Sequence, residues 1–117
     1  MNAYDYSKEI LLPAFKRGYH LITDFIIENI PELRANGLFH VFIKHTSAGL
    51  TLNENADYTV REDFEKVFNK LIPENQLYYA HTFEGADDLP AHIKASIIGN
   101  SISIPVTEGQ LNLGTWQ

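Results

Sequence analysis

The 117-residue chain contains no cysteine. That excludes disulfide bridges and any thiolate metal site, and it fits a reducing compartment. Basic residues are scarce and scattered: nine Lys and Arg stand against 15 Asp and Glu, for a formal charge of −6. A general nucleic-acid surface is therefore not expected, although a local anion site remains open. No apolar run approaches the length of a membrane span, so no membrane partner is expected. The opening MNAYDYSKEI has neither a basic leader region nor an apolar one, which predicts no signal peptide and a cytoplasmic, soluble protein. Internal repeats, low-complexity segments and linkers are also missing. What is present is an ordinary hydrophobic fraction of 44% in a length that suits one domain with its own core, spanning residues 1–117.

Taken in order, Lys8–Pro13 and Tyr19–Thr23 read as a first hairpin around the turn Lys16-Arg17-Gly18. Thr23 or Asp24 suits the cap of a helix running towards Leu33, with Pro31 predicting a break. Leu38–Lys44 is the clearest strand: Phe39, Val41 and Ile43 form one wholly apolar face, and the alternation places His45 at its end. Thr46-Ser47-Ala48-Gly49 follows. This run of small residues reads either as a plain turn or as a set of backbone donors for an anion. Leu50–Asn53 begins another strand.

Asp57–Leu71 is the best helix. Val60, Phe64, Val67, Phe68 and Leu71 form an apolar stripe, Asp57 suits the cap, and Pro73 ends it. Arg61, Glu62, Glu65 and Lys66 are expected on the solvated face. A further helix begins near Asp88 or Leu89 as cap, with Pro90 in its first turn and Gly99 as its stop. Ser101–Val106 and Gln110–Thr115 form a closing hairpin around Glu108-Gly109. The element order β-β-α-β-β-α-α-β-β favours an α+β fold.

The stretch Tyr78–Asn100 concentrates candidate chemistry, with His81 in a loop and His92 near a helix start. Asp88 and His92 are four apart and share a helix face if the helix starts early enough. Imidazole and carboxylate together suit zinc, or magnesium and manganese where carboxylates dominate. Ten residues lie between the two histidines, which is no fixed ligand spacing. An acidic loop capping a helix, with His92 turned to solvent, accounts for the same residues.

Three blocks, HTSAGLTLNENAD, DDLPAHIKASIIGNSISIP and GQLNLGTWQ, resemble the signature blocks of the YjbQ-like family, whose members are commonly labelled secondary thiamine-phosphate synthases. The resemblance runs from about Lys8 to Gln117. It implies a β-sandwich of two sheets, a homotrimer, and a pocket of histidines and acids that holds a divalent metal. The matching motif residues are His45, Asn53, Glu54, Asp57, His81, His92, Gly99, Gly114, Trp116 and Gln117. Family chains usually continue past the GTWQ block for another strand or two, and this sequence has no such tail.

On the resemblance, His81 and His92 are metal ligands, with Asp88 foremost and His45, Asp57 or Glu84 as alternatives to complete the set. His45, Glu54 and Asp57 are assigned to catalysis, and Thr46, Ser47 and Asn53 to substrate binding. The implied reaction joins the thiamine pyrimidine and thiazole phosphate moieties with displacement of pyrophosphate. The true substrate is left open as another small phosphorylated molecule. The alternative class is a non-catalytic trimer that binds a metal or small anion. Lys44 and Lys94 are the cations nearest the candidate histidines in sequence, and neither is aimed clearly inward.

Overall fold

The computed structural model describes residues 6–117. The first five residues of the N-terminal stretch lie outside the described residues. Six elements follow in order: α1 (Thr23–Glu28), β1 (Asn36–Phe42), α2 (Tyr58–Leu71), α3 (Asp88–Ile98), β2 (Ser101–Thr107) and β3 (Gln110–Leu111). They make a mixed fold of helices and one antiparallel sheet in the order β1-β2-β3. No helix among the described residues is long and apolar enough to cross a membrane.

Register explains the core. In the β1–β2 pair Phe39 faces Ile104, Val41 faces Ile102 and Gly37 faces Val106, so one side of the sheet is apolar. Ile104 and Val106 are buried there, together with Ile26 of α1 and Leu50. The other side pairs Leu38 with Pro105 and His40 with Ser103, and the His40 ring meets the Ser103 hydroxyl at 2.8 Å. Glu108 and Gly109 form the two-residue turn between β2 and β3, both with positive φ, 54° and 75°. Such a turn matches the twist of the flanking strands, and glycine suits its second position.

Several expectations need correction. Lys8–Pro13, Tyr19–Thr23 and Leu50–Asn53 are not strands. They have no ladder partner among the described residues. Tyr19, for example, packs edge-on against Phe64 of α2. The described residues therefore form a single three-stranded sheet, and the two-sheet sandwich is not seen among them. Asn36 and Gly37 open β1, two residues ahead of the expected start at Leu38. β3 is two residues long: Leu113 N–H turns back to the Leu111 carbonyl at 3.0 Å, and further on Gly114 N–H donates to Gln117 Oε1 at 2.7 Å while Gln117 N–H returns to the Gly114 carbonyl at 3.1 Å.

Helix ends follow local chemistry. α1 stops at Glu28, ahead of Pro31, and its cap position is Ile22, with Thr23 and Asp24 already inside the first turn. Asp57 caps α2 as expected, accepting from Thr59 N–H at 2.9 Å and from Thr59 Oγ1 at 2.7 Å. The apolar stripe of α2 is only partly covered, since Val67 and Leu71 stay exposed. Arg61 is not on the solvated face: it is half-buried, and its Nη1 is enclosed without a hydrogen-bond partner. Glu65 is half-buried as well and approaches Gly18 of the N-terminal segment. The cap position of α3 is Asp87, which makes no side-chain cap bond. Asp88 is instead the first helical residue, which frees its carboxylate for another use.

Candidate metal centre

Pro90 anchors the start of α3. It is the one fully buried side chain there, and its fixed φ suits the first turn of a helix. With the helix beginning at Asp88, one turn of 3.6 residues stacks His92 above Asp88 on the same face. His92 Nε2 lies 3.1 Å from Asp88 Oδ2. The loop before the helix brings His81 to the same oxygen, with Nε2 at 2.7 Å. The two rings meet edge to face, centroids 5.4 Å apart. One ligand atom from each of His81, Asp88 and His92 falls within 4.8 Å of the others.

The proton count makes this arrangement informative. His92 Nδ1–H donates to the Thr46 carbonyl at 2.8 Å. In a neutral ring Nε2 is then a bare lone pair facing a carboxylate oxygen, which is repulsive. A proton or a cation must stand between them. A ligating histidine whose other ring nitrogen donates to a backbone carbonyl is the usual arrangement at metal sites, because that bond fixes tautomer and ring orientation. Tetrahedral zinc with ligands at its usual bond lengths separates neighbouring donors by about 3.4 Å. The observed 2.7 and 3.1 Å are what such donors close to when protons hold them together. The residues present therefore fit a divalent ion. Hydrogen bonding from His81 holds the Asp88 carboxyl below its ordinary value, with burial opposing and His92 reinforcing the shift. The carboxylate is thus in the form that binds a cation.

The other carboxylates offered to complete the ligand set fall elsewhere. Glu84 Oε2 stands 4.0 Å from His81 Nε2, at the margin of the cluster. Asp57 is occupied capping α2. His45 lies outside the three-residue cluster but adjoins it through the chain, because Thr46, which holds His92, is its neighbour. His45 is exposed, and its Nδ1 accepts from Ser47 N–H at 3.0 Å, with Ser47 Oγ at 3.3 Å. A neutral ring then carries its proton on Nε2. One backbone donor expected to face an anion, the Ser47 N–H, is thus taken by His45. His45 and Thr46 line an open groove with Phe42, Ile43, Lys44 and Asn100.

Asn53 sits apart, exposed at the edge of a partly open pocket between α1 and the sheet, with its Oδ1 accepting from Glu54 N–H at 2.7 Å. Glu54 is half-buried beside it. Asn55 N–H donates to the Trp116 carbonyl at 2.7 Å, which ties the NENAD and GTWQ blocks together. Lys44 is paired with Glu9, and Lys94 Nζ donates to Asn69 Oδ1 at 2.6 Å. The Thr46 carbonyl is the contributor that sequence reasoning missed, since a backbone acceptor leaves no mark on residue type.

The family profile described as UPF0047 protein YjbQ-like matches residues 8–117. The chain belongs to this family. It is 51% identical over 114 residues to the UPF0047 protein YjbQ of Salmonella typhimurium, covering 96% of this chain and 82% of that protein. With the UPF0047 protein YjbQ of Escherichia coli O157:H7 the identity is 49% over the same length and the same shares. Among solved structures, a conserved hypothetical protein from Thermus thermophilus superposes with a TM-score of 0.75 at 32% identity, over 86% of this chain and 75% of that one. An uncharacterised YjbQ/UPF0047 family protein from Clostridium acetobutylicum gives 0.68 at 39% identity, over 82% and 72%. These two solved structures share the mixed fold of this YjbQ-like chain.

Proposed function

We propose that this YjbQ-like protein is a divalent-metal enzyme acting on a small phosphorylated substrate, with thiamine phosphate formation as the reaction that the family resemblance implies. The observation that carries the reading is the junction at Thr46. Its carbonyl orients a metal-type histidine on one side, while its own residue and His45 line an open groove on the other. A phosphorylated group in that groove would lie beside the cluster. His81, Asp88 and His92 would hold the ion, which when bound offsets the negative charge that builds on a departing pyrophosphate. His45, with Nε2–H outward, would donate to the same oxygens, and the Ser47 hydroxyl is placed to assist. Glu54, Asp57 and Asn53 take structural roles in this reading. Asp57 caps a helix, and Asn53 and Glu54 sit where the chain turns into it.

Assembly as a homotrimer belongs to the same reading. The chain exposes 8965 Å², against about 6,450 Å² for a folded monomer of its mass. The cytoplasmic placement rests on the cysteine-free composition.

A second reading is a non-catalytic metal- or anion-binding trimer. It is favoured by the engagement of Lys44 and Lys94 elsewhere, which leaves neither aimed at the cluster. Turnover decides between the two. Tag-free protein supplied with zinc, magnesium or manganese should convert the pyrimidine pyrophosphate and the thiazole phosphate to thiamine phosphate and pyrophosphate. His45→Ala should abolish that conversion. No product with any of the three metals would remove the synthase reading and leave the binding one.

A further inference from the structure

We propose that Lys44 is the cation that meets the substrate's phosphate in the open groove, and that Glu9 of the N-terminal segment occupies it while the groove is empty. The inference rests on the phosphorylated-substrate reading above and names the counter-charge which that reading lacks. A phosphate monoester carries roughly two negative charges at neutral pH. The groove is lined by Phe42, Ile43, Lys44, His45, Thr46 and Asn100. Lys44 is the one formally charged side chain in that set. His45 supplies a neutral donor, which orients an oxygen without balancing its charge.

The end of β1 brings Lys44 and His45 to one groove. In a strand, neighbouring side chains alternate between faces, which would separate the two. β1 ends at Phe42, however, and the next backbone bond runs from Ile43 N–H to the Asn100 carbonyl at 2.9 Å. Past that bond no ladder among the described residues imposes the alternation, and both residues line the groove. His45 is fixed through its Nδ1 by Ser47, which leaves Nε2–H for an acceptor. An ammonium beside that ring adds the charge.

Glu9 is a replaceable partner. Lys44 Nζ donates to Glu9 Oε1 at 2.5 Å, but both side chains are 72% exposed. Water and salt screen such a pair, and holding two long side chains in one geometry costs entropy. The segment around Glu9 does not depend on the contact. Lys8 Nζ donates to the Asn29 carbonyl at 2.7 Å, and the Arg17 guanidinium joins Glu74 and Asn69. These anchors keep a carboxylate within reach of Lys44 whether or not the two are bonded. A phosphate brings about twice the charge of a carboxylate and more acceptor oxygens, so it displaces Glu9 from the ammonium. The cost of that exchange weakens phosphate binding and is removed when Glu9 is neutral.

The test uses the full chain, with inorganic phosphate as the probe in equilibrium dialysis at low ionic strength. Glu9→Gln should tighten phosphate binding about threefold, the scale of an exposed ion pair. Lys44→Gln should weaken it about tenfold, and Lys44→Arg, which keeps the charge, should retain most of the affinity. In the Glu9→Gln/Lys44→Gln double variant the gain from position 9 should disappear, because Glu9 acts through Lys44. Both side chains are exposed, so helical circular dichroism should match wild type throughout.

Wild-type affinity in Lys44→Gln, or weaker binding in Glu9→Gln, would overturn the proposal. An equal gain from Glu9→Gln with and without Lys44 would overturn it too, since Glu9 would then act by repelling the anion and not by holding Lys44. Failure of the wild-type protein and every variant to bind phosphate would instead strike the phosphorylated-substrate reading itself, and this inference with it.

Discussion

His92 and Thr46 lie far apart in the chain yet meet in one hydrogen bond, Nδ1–H to carbonyl oxygen at 2.8 Å. That bond links the turn after β1 to the face of α3. It also decides which nitrogen His92 turns towards Asp88. The turn is held close by Gly49. A Cβ built on Gly49 would come within 2.7 Å of the Gly99 carbonyl oxygen and 3.2 Å of Ile98 Cγ2. Leu50 N–H donates to the same Gly99 carbonyl at 3.0 Å.

Gly49→Ala therefore forces the turn away from α3 without touching any ligand. We expect it to destabilise the fold by about 1–3 kcal/mol, the usual cost of overpacking, and to weaken zinc binding by about tenfold. Calorimetric titration of zinc checks the second effect. Unchanged affinity would show that the turn does not position His92.

The sequence revealed those parts of the fold whose signals are local. α2 has a capping aspartate, an apolar stripe and a terminating proline. The Glu108-Gly109 turn and the alternation in β1 and β2 were equally plain. The first hairpin failed because a short apolar run such as Ile10-Leu11-Leu12 reads the same whether or not it finds a ladder partner. Val67 and Leu71 share the period of Phe64 and Phe68, and periodicity does not say which part of a stripe its own chain covers. In the site, His81, Asp88 and His92 were legible as residue types at workable spacing. Whether the helix began at Asp88 or after it decided if the three converge, and two consecutive candidates for the cap, Asp88 and Leu89, left that open.

Asp57 offers a pH test. Its carboxyl is held below the ordinary value of 3.8 by the Thr59 hydroxyl first and the Thr59 N–H next, with burial opposing and Arg61 reinforcing. A depressed carboxylate contributes stability fully above its unfolded value, and the contribution is lost as pH falls through the lower folded value. Asp57→Ala should lower the melting temperature by a few degrees at neutral pH. The gap to wild type should close in strong acid. A gap that persists there would assign the loss to packing instead of the cap.

His45 is exposed, with its Nδ1 occupied by Ser47. His45→Ala should remove turnover while leaving the melting temperature and zinc content unchanged. Ser47→Ala should weaken phosphate binding by roughly 1 kcal/mol or more if the hydroxyl makes one charge-assisted bond. Loss of thermal stability with activity and phosphate affinity intact would make His45 a structural residue.

Glu108 occupies a left-handed position, φ 54°, that a residue with a long side chain adopts at some cost. Asparagine is tolerated better in that conformation. Glu108→Asn should raise stability by about 0.5 kcal/mol in urea unfolding, with no effect on zinc. A lower denaturation midpoint would mean that the glutamate side chain contributes more than the turn geometry suggests.

The ion proposed for His81, Asp88 and His92 is read out by the metal content of the purified protein. Protein purified without an affinity tag should contain about one divalent ion per chain by elemental analysis. The His81→Ala/His92→Ala double variant should contain none, with its helical circular dichroism largely intact. Undiminished metal in that variant would contradict the assignment.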